Sequence, residues 1–191
     1  MMKSSTETDA ALADVGIVAA LDRAILEQQF DRLLAANGPA LARLAASYTN
    51  TRSDRDDLLQ EIAVAVWQAL PVFRGECGPR TFLFRIAHNR AIAYLARNRA
   101  RFAVAAGEVD VHEVHDTAPD PESGLAREQD AARLHAAIRR LPLAYRQVIT
   151  LALEDVGYAE IAEVLGISES NVGARLSRAR QMLRELLEKQ K

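Results

Sequence analysis

Apolar residues recur at intervals of three or four along most of this chain, which is the spacing that buries one face of an α-helix. The first clear run extends from about residue 21 to 34, after a polar and then alanine-rich start. The sequence Asn37-Gly38-Pro39 interrupts that run, and Pro39 suits the first turn of a new helix. The pattern predicts a frayed arm over 1–20, a helix from about residue 21 and a separate helix that begins near Pro39.

Two further helices are predicted before residue 103. The first opens after Ser53-Asp54, which are good capping residues, and stops before Pro71. The second begins near Thr81 and continues to about Arg101, after a loop that contains two glycines and a proline. The helical period resumes in the last third of the chain, where four helices are predicted, at about 134–141, 146–153, 158–165 and 169–187.

Residues 103–124 contain two prolines, many acidic residues and no sustained apolar period. A gap of this length without structure argues for two domains. The composition favours helices throughout, because alanine, leucine, arginine and glutamate dominate and aromatic residues make up only 5%. The predicted fold is all-α: two small helical domains, over 21–102 and 127–191, joined by a flexible acidic linker over 103–126.

The formal net charge of −2 averages two segments of opposite character. Residues 74–102 contain seven arginines and one glutamate, whereas residues 103–130 contain eight acidic residues and one arginine. Because the basic segment could neutralise phosphates, the overall charge does not exclude a nucleic-acid partner.

The sequence gives little support for a disulfide-bonded, secreted or membrane-spanning protein. Cys77 is the only cysteine, so no intrachain disulfide can form. The N-terminus lacks the basic start and apolar run of a signal peptide, and no apolar stretch approaches the roughly 20 residues of a membrane span. We therefore expect a cytoplasmic protein without membrane insertion.

The sharpest local motif lies between Tyr158 and Leu176. Within it, Ala162 is small where two helices must approach closely, Gly166 occupies a turn that favours positive φ, and Ser168 can cap the second helix. Apolar residues at helical spacing would bury both helices against a third. This is the pattern of a DNA-binding helix-turn-helix, in which a rigid corner projects one helix into the major groove.

The second helix of that motif would expose side chains that suit DNA. Arginine and asparagine pair with base edges, whereas serine and further arginines suit phosphates. The candidate residues are Ser170, Asn171, Arg175, Ser177, Arg178 and Arg180. A plain helical hairpin with a solvated arginine face is the alternative interpretation.

Two segments before the linker carry further candidate chemistry. Asp57, Gln60 and Glu61 lie on one side of their predicted helix, and an acidic face of this kind is usually only a solubilising surface. The segment 73–101 mixes aromatic residues with arginines, which suits a single-stranded nucleic acid because every base offers a face for stacking. Phe82 in this segment is predicted to be a core residue.

Taken in order, these segments resemble the extracytoplasmic-function sigma factors, which are small two-domain subunits of bacterial RNA polymerase. The matching stretches before the linker run from Ser53-Asp-Arg-Asp-Asp-Leu-Leu-Gln-Glu to Trp67 and from Phe73-Arg-Gly to Arg97. Those after it are Leu141-Pro-Leu-Ala-Tyr-Arg-Gln-Val148 and Arg175-Leu-Ser-Arg-Ala-Arg180. The resemblance spans roughly residues 28–188.

The resemblance implies a function and assigns it to residues. Such a protein binds core RNA polymerase, recognises promoter DNA as duplex and as opened strand, and promotes strand opening for a stress- or signal-responsive regulon. The implied core-polymerase contacts are Asp57, Gln60, Glu61 and Trp67. The implied minus-ten contacts are Phe73, Arg74, Arg80, Asn89, Arg90 and Arg97. Arg175, Ser177 and Arg178 match positions that face the minus-thirty-five element.

The resemblance further implies an anti-sigma factor as a partner, and neither a catalytic residue nor a cofactor. The chain departs from the family pattern at four positions. Phe82 replaces the usual tryptophan, and Ala91 and Ala93 fall where the family tends to be larger or acidic. Gly173 stands where a lysine or arginine commonly contacts DNA, which leaves the promoter sequence open.

Two other classes of protein remain as alternatives. A metal site could use Cys77, His88, His112 and His115, although the last two lie in the acidic linker and no CxxC or HExxH companion exists. An ordinary helix-turn-helix regulator could bind an operator by itself. That alternative does not account for the acidic helix or for the basic, aromatic segment.

Overall fold

The computed structural model describes the backbone of residues 4–105 and 125–189, and the side chains within 22–99 and 129–189. Within these ranges the chain forms seven α-helices, one short 3-10 turn and no strand, so the all-α prediction is confirmed. The elements are α1 (Ser4–Ala46), α2 (Arg52–Ala69), the 3-10 turn (Leu70–Val72), α3 (Pro79–Ala105), α4 (Leu125–Arg140), α5 (Leu143–Ala152), α6 (Tyr158–Leu165) and α7 (Glu169–Glu188).

Helix α1 passes through Asn37-Gly38-Pro39 without a break, so the predicted division into two helices is wrong. The Asn37 side chain donates a hydrogen bond to the Leu33 carbonyl at 2.8 Å, which reinforces the turn that precedes Pro39. Beyond the proline, Leu41 and Leu44 are buried in the core. Burial of this face outweighs the low helix propensity of glycine and proline. The helix also begins at Ser4, where the sequence predicted an arm.

The cap of helix α2 lies two residues before the predicted Ser53-Asp54. The Thr51 hydroxyl accepts a hydrogen bond from the Asp54 amide at 3.1 Å, so threonine takes the capping role predicted for Ser53-Asp54. Pro71 ends the helix as predicted, through the 3-10 turn. Helix α3 then starts at Pro79, in the first turn, where a missing amide hydrogen costs nothing.

Helices α1, α2 and α3 form the N-terminal domain, and α4 to α7 form the C-terminal domain. The N-terminal core consists of fully buried side chains, which include Leu44, Leu58, Ile62, Leu83 and Phe84. The C-terminal core is built in the same way, from residues that include Ile138, Leu151, Ile161, Val172 and Leu176. The predicted helices of the second domain are confirmed to within a few residues, apart from α4, which begins at Leu125.

The two domains pack against each other, and their buried residues form one continuous apolar cluster. Tyr48 and His88 of the first domain are both buried and lie edge to face with ring centroids 6.1 Å apart. The Arg146 guanidinium of the second domain lies 5.8 Å from the Tyr48 ring. Most of the predicted linker, residues 106–124, lies outside the described residues.

His88 is expected to make the stability of the protein depend on pH. Its Nε2 is buried without a hydrogen-bond partner among the described residues, and burial lowers the pKa of His88 to about 4. The His88 pKa is near 6.5 in the unfolded chain, so between pH 6.5 and 4 the unfolded state binds more protons than the folded state. The free energy of unfolding therefore decreases as the pH is lowered through this window. The His88 share of that loss reaches about 3 kcal/mol.

Urea unfolding of the wild type and of His88→Asn between pH 7.5 and 4.5 measures this share. The variant removes the titrating ring, so its free energy of unfolding should depend less on pH than that of the wild type. Other groups titrate equally in both proteins and cancel in the difference. Parallel curves for the two proteins would show that His88 is not the group responsible.

Candidate nucleic-acid and protein interfaces

The acidic face predicted for α2 is exposed. Asp57 and Gln60 lie open to solvent, whereas Leu58 and Ile62 on the opposite side of the helix are fully buried. Val64 on the same open surface is 54% exposed. An open groove of about 600 Å³ runs beside this face, lined by Asp57, Gln60, Glu61, Val64, Ala65, Gln68, Arg90 and Arg97.

Two residues that were predicted for different partners bind each other in this groove. Arg97 of α3 donates to both carboxylate oxygens of Glu61 of α2, at 2.6 and 2.7 Å. The pair is about half exposed. The predicted polymerase contact Glu61 and the predicted minus-ten contact Arg97 therefore lie at one place on the surface. No spacing rule could have revealed this pair, because the two residues lie on different helices.

Trp67 occupies a different environment from the three polar residues with which it was grouped. Its indole ring is half-buried and lies edge to face with Phe30 of α1, with ring centroids 5.3 Å apart. A tryptophan packed in this way fixes α2 against α1. Trp67, which is predicted to contact core polymerase, thus has an intramolecular partner in Phe30.

The loop between α2 and α3 places an aromatic pair beside exposed arginine. The rings of Phe73 and Phe82 stack with centroids 4.3 Å apart, and both are only half-buried. Phe82 is therefore not the deep core residue predicted from the sequence; Phe84, two positions later, is fully buried instead. Arg74 is exposed beside Gly75, whose positive φ of 74° turns the loop.

The predicted minus-ten residues on α3 divide into two groups. Asn89 and Arg90 are exposed. Arg80, in the first turn, has its guanidinium 5.4 Å from the centre of the Phe84 ring and donates a hydrogen bond to the Glu154 carbonyl of the C-terminal domain. Arg80 is exposed as well, so the two groups differ in the hydrogen bond that Arg80 makes to the second domain.

The helix-turn-helix geometry predicted for α6 and α7 is confirmed. Gly166 adopts the left-handed conformation with φ 65°, and the Ile167 amide donates to the Ala162 carbonyl across the turn at 3.0 Å. The Ser168 hydroxyl accepts from the Asn171 amide at 3.3 Å and caps α7. The two helices form a fixed corner.

The candidate face of α7 points away from the apolar core. Its exposed residues are Ser170, Asn171, Ser177, Arg178 and Arg180. Arg175 is half-buried. Tyr158, which begins α6, is 45% exposed and lies beside Gly173.

The residues considered for a metal site were Cys77, His88, His112 and His115. Among the side chains of 22–99 and 129–189, no three histidine, cysteine or acidic residues are grouped to hold an ion. His88 is buried against Tyr48, while His112 and His115 lie outside the described residues. No helix in the described part of the chain is both long and apolar enough to cross a membrane.

Two family models match the chain, one for each domain. The Sigma-70 region 2 model matches residues 33–101, and the Sigma-70, region 4 model matches residues 131–183. The first match covers the end of α1, α2 and most of α3. The second covers most of α4 together with α5, α6 and most of α7.

Similar proteins and structures agree with these matches. The RNA polymerase sigma factor CnrH of Cupriavidus metallidurans is 34% identical over 174 residues, which cover 85% of this chain and 88% of CnrH. The ECF RNA polymerase sigma factor SigM of Mycobacterium tuberculosis is 30% identical over 83% of this chain and 76% of SigM. The structure of CnrH in complex with the cytosolic domain of CnrY has a TM-score of 0.65 at 28% identity, over 86% of this chain and 91% of the matched chain.

Fold, domain order and these matches define a sigma factor with regions 2 and 4. The chain belongs to the extracytoplasmic-function (ECF) family of RNA polymerase sigma factors. It therefore binds RNA polymerase and recognises promoters in transcription initiation.

Alanine at the two glycines of the helix-turn-helix should change stability in opposite directions. Gly166→Ala places a side chain at φ 65° and is expected to cost about 1 kcal/mol. Gly173 lies within α7, and an added Cβ would make an ordinary contact of 3.7 Å with Cε2 of Tyr158. Gly173→Ala should therefore stabilise the protein by about 0.5–1 kcal/mol. Urea unfolding followed by circular dichroism measures both changes, and a loss of stability in Gly173→Ala would contradict this geometry.

Proposed function

We propose that the exposed acidic face of α2 binds core RNA polymerase through Asp57, Gln60 and Glu61. Two of these side chains are exposed, the third is half-exposed, and the opposite side of the helix anchors α2 in the core. The exposed apolar Val64 also lines the groove beside them, and a protein interface needs apolar area as well as charge. Trp67 would support this surface by holding α2 against α1 through Phe30.

The loop before α3 and the exposed side of α3 are proposed to bind the minus-ten element. An aromatic pair next to arginine suits an opened strand, because bases can stack while guanidinium groups bind phosphates. Phe73 is half-buried and stacked, and Arg74, Asn89 and Arg90 are exposed. Arg80 and Arg97 complete the proposed surface, and each is engaged with an oxygen of this chain.

Helix α7 is proposed to read the minus-thirty-five element in the major groove. The supporting observation is the fixed corner at Gly166, which leaves the polar side of α7 exposed while Val172 and Leu176 anchor its other side. Arg175 would contact a base edge, while Ser177 and Arg178 would hold the backbone. Ser170, Asn171 and Arg180 lie on the same exposed face.

The similar proteins support a proposal about the partner, the cellular location and the regulon of this chain. CnrH was solved with the cytosolic domain of CnrY, so a protein partner of the anti-sigma kind is proposed for this chain too. We further propose a cytoplasmic protein that acts as a regulatory subunit and not as an enzyme, and that serves a stress- or signal-responsive regulon. These proposals follow from family membership.

Reversal of one charge on the acidic face should weaken polymerase binding. Asp57→Lys places a cation where the proposal has an anion, and we expect a loss of about 1–2 kcal/mol in the free energy of binding core polymerase. Glu188→Lys, the same kind of change at the exposed end of α7, is the matched control. Fluorescence anisotropy of the labelled chains titrated with core polymerase measures both, and equal affinities for the two variants would rule out this face.

Arg175→Ala should weaken recognition of the upstream element by about 1–3 kcal/mol if the guanidinium reads a base edge. The probe is a duplex that the holoenzyme selects from a random pool, compared with its scrambled version. Arg184→Ala, exposed further along α7, is the control for loss of positive charge. An equal loss on scrambled DNA would assign Arg175 to a phosphate.

A further inference from the structure

A histidine of the C-terminal domain lies against the end of α1. Nδ1 of His135, on α4, lies 3.1 Å from the hydroxyl oxygen of Ser47 in the N-terminal domain. Ser47 is only 1% exposed, and His135 is half-buried. One hydrogen bond between the domains therefore involves a side chain whose ordinary pKa lies close to neutral pH.

A second contact of Ser47 fixes the direction of this hydrogen bond. The Ser47 hydroxyl donates its single hydrogen to the Arg43 carbonyl, at 3.1 Å. Nδ1 of His135 must then donate to the Ser47 oxygen, so we assign the neutral ring a hydrogen on Nδ1 and a free lone pair on Nε2. A proton taken up at Nε2 leaves the bond to Ser47 intact. Its effect on the contact between the domains is therefore electrostatic.

The His135 ring lies among guanidinium groups. Arg139 belongs to the same helix, whereas Arg55 of α2 and Arg43 of α1 belong to the other domain. Burial lowers the pKa of His135, and the charges of Arg139, Arg55 and Arg43 lower it further. Of these three cations, Arg43 is also bound to the Glu154 carboxylate, at 2.6 and 2.8 Å. Protonation adds a fourth cation to this group.

Separation of the domains would remove two of these cations from the ring. Arg43 and Arg55 would leave with the N-terminal domain, and the part of the burial that this domain provides would be lost as well. The pKa of His135 is therefore higher in a separated chain than in the closed one. The separated state binds more protons, so a fall in pH shifts the equilibrium towards separation. The shift begins near pH 6.5, the ordinary histidine value, and is complete below the pKa of His135 in the closed chain.

The other buried histidine has a different place in the structure. His88 lies edge to face with Tyr48, and both residues belong to the N-terminal domain. Burial lowers the pKa of His88 to about 4, so in the folded chain this ring stays neutral at the pH values at which His135 responds. A change in the contact between the domains above pH 5.5 is therefore assigned to His135.

We propose that the contact between His135 and Ser47 is a proton-sensitive link between the two domains. It holds them together while the ring is neutral and weakens when the ring is protonated. A fall in pH then changes the distance between α3 and α7, the two helices proposed to bind DNA. The link itself does not depend on that proposed function, and its test uses no DNA.

Energy transfer between two fluorophores on the full-length chain measures the separation. One is attached to Cys77, two residues before α3, and the other to a cysteine that replaces Gln181, an exposed residue of α7. The transfer efficiency should fall between about pH 7.5 and 5.5, as the ratio of separated to closed chains rises severalfold. Far-ultraviolet circular dichroism should stay constant over this range, because each domain remains folded.

Replacement of the ring tests whether His135 is the group that responds. His135→Asn keeps a donor near the position of Nδ1 and removes the titration, so its transfer efficiency should not change with pH in this range. The readout is the slope with pH, which a variant that merely loosens the contact at every pH would retain. His112 and His115 titrate equally in both proteins and cancel in the comparison.

A second pair of variants tests the electrostatic cause. Arg55→Gln removes one of the cations near the ring, and Arg52→Gln, exposed in the first turn of the same helix, is the matched control. The His135 pKa, followed by nuclear magnetic resonance of the ring protons, should rise in Arg55→Gln and stay unchanged in Arg52→Gln. The fall in transfer efficiency with pH should be smaller in Arg55→Gln, because the closed state then accepts the proton more easily.

Three results would overturn the proposal. If the wild type and His135→Asn respond to pH alike, another group controls the contact. If the His135 ring titrates and the transfer efficiency stays constant, protonation does not weaken the link. If Arg55→Gln and Arg52→Gln share one His135 pKa, the electrostatic cause is wrong. The proposed polymerase and DNA surfaces would stand in each case, because Asp57→Lys and Arg175→Ala test them separately.

Discussion

Glu154 carries a carboxylate that is almost completely removed from water, and the cation that compensates it lies in the other domain. An unpaired charge at such a position would be strongly destabilising, so the position of the C-terminal domain is tied to Arg43. Other polar groups near this pair also have partners in the opposite domain. Arg139 donates to the Ala46 carbonyl at 3.0 Å, and Ser47 lies 3.1 Å from His135, so polar groups at the end of α1 also find partners across the interface.

This constraint decides which surfaces remain available. With Glu154 held by Arg43, α6 lies along the first turns of α3, and α7 faces outward. The acidic side of α2 lies away from that contact and borders its own groove. The chain therefore leaves its proposed polymerase and upstream-element surfaces open, while Arg80 of the proposed minus-ten surface bonds to the C-terminal domain.

Most of the helical framework could be predicted, because it depends on local signals. The turn at Gly166 and the cap at Ser168 follow from residue types whose conformational preferences act within a few positions. The continuity of α1 could not be predicted from such signals, because the Asn37 side chain and the burial of Leu41 and Leu44 compensate for Gly38 and Pro39. At Gly38 and Pro39, packing of the helix outweighs the low helix propensity of these residues.

The candidate surfaces were predictable as sets of residues, but their pairings were not. Arg43 and Glu154 are 111 positions apart in the chain, and neither has a neighbour in sequence that signals the pair. Glu61 and Arg97 were likewise predicted for separate partners, yet they bind each other. Periodicity identifies which side of a helix is exposed, whereas the partner of an exposed charge depends on how helices from distant segments are placed.

We propose that this chain acquires its full promoter specificity as a subunit of RNA polymerase. Run-off transcription from a library of host genomic fragments, with core polymerase and the purified chain together and separately, tests it most directly. Transcripts with defined start sites are expected only when both are present. If the chain alone bound the same fragments as tightly, and its addition to core polymerase produced no defined start, the protein would be an independent DNA-binding regulator and the account would be contradicted.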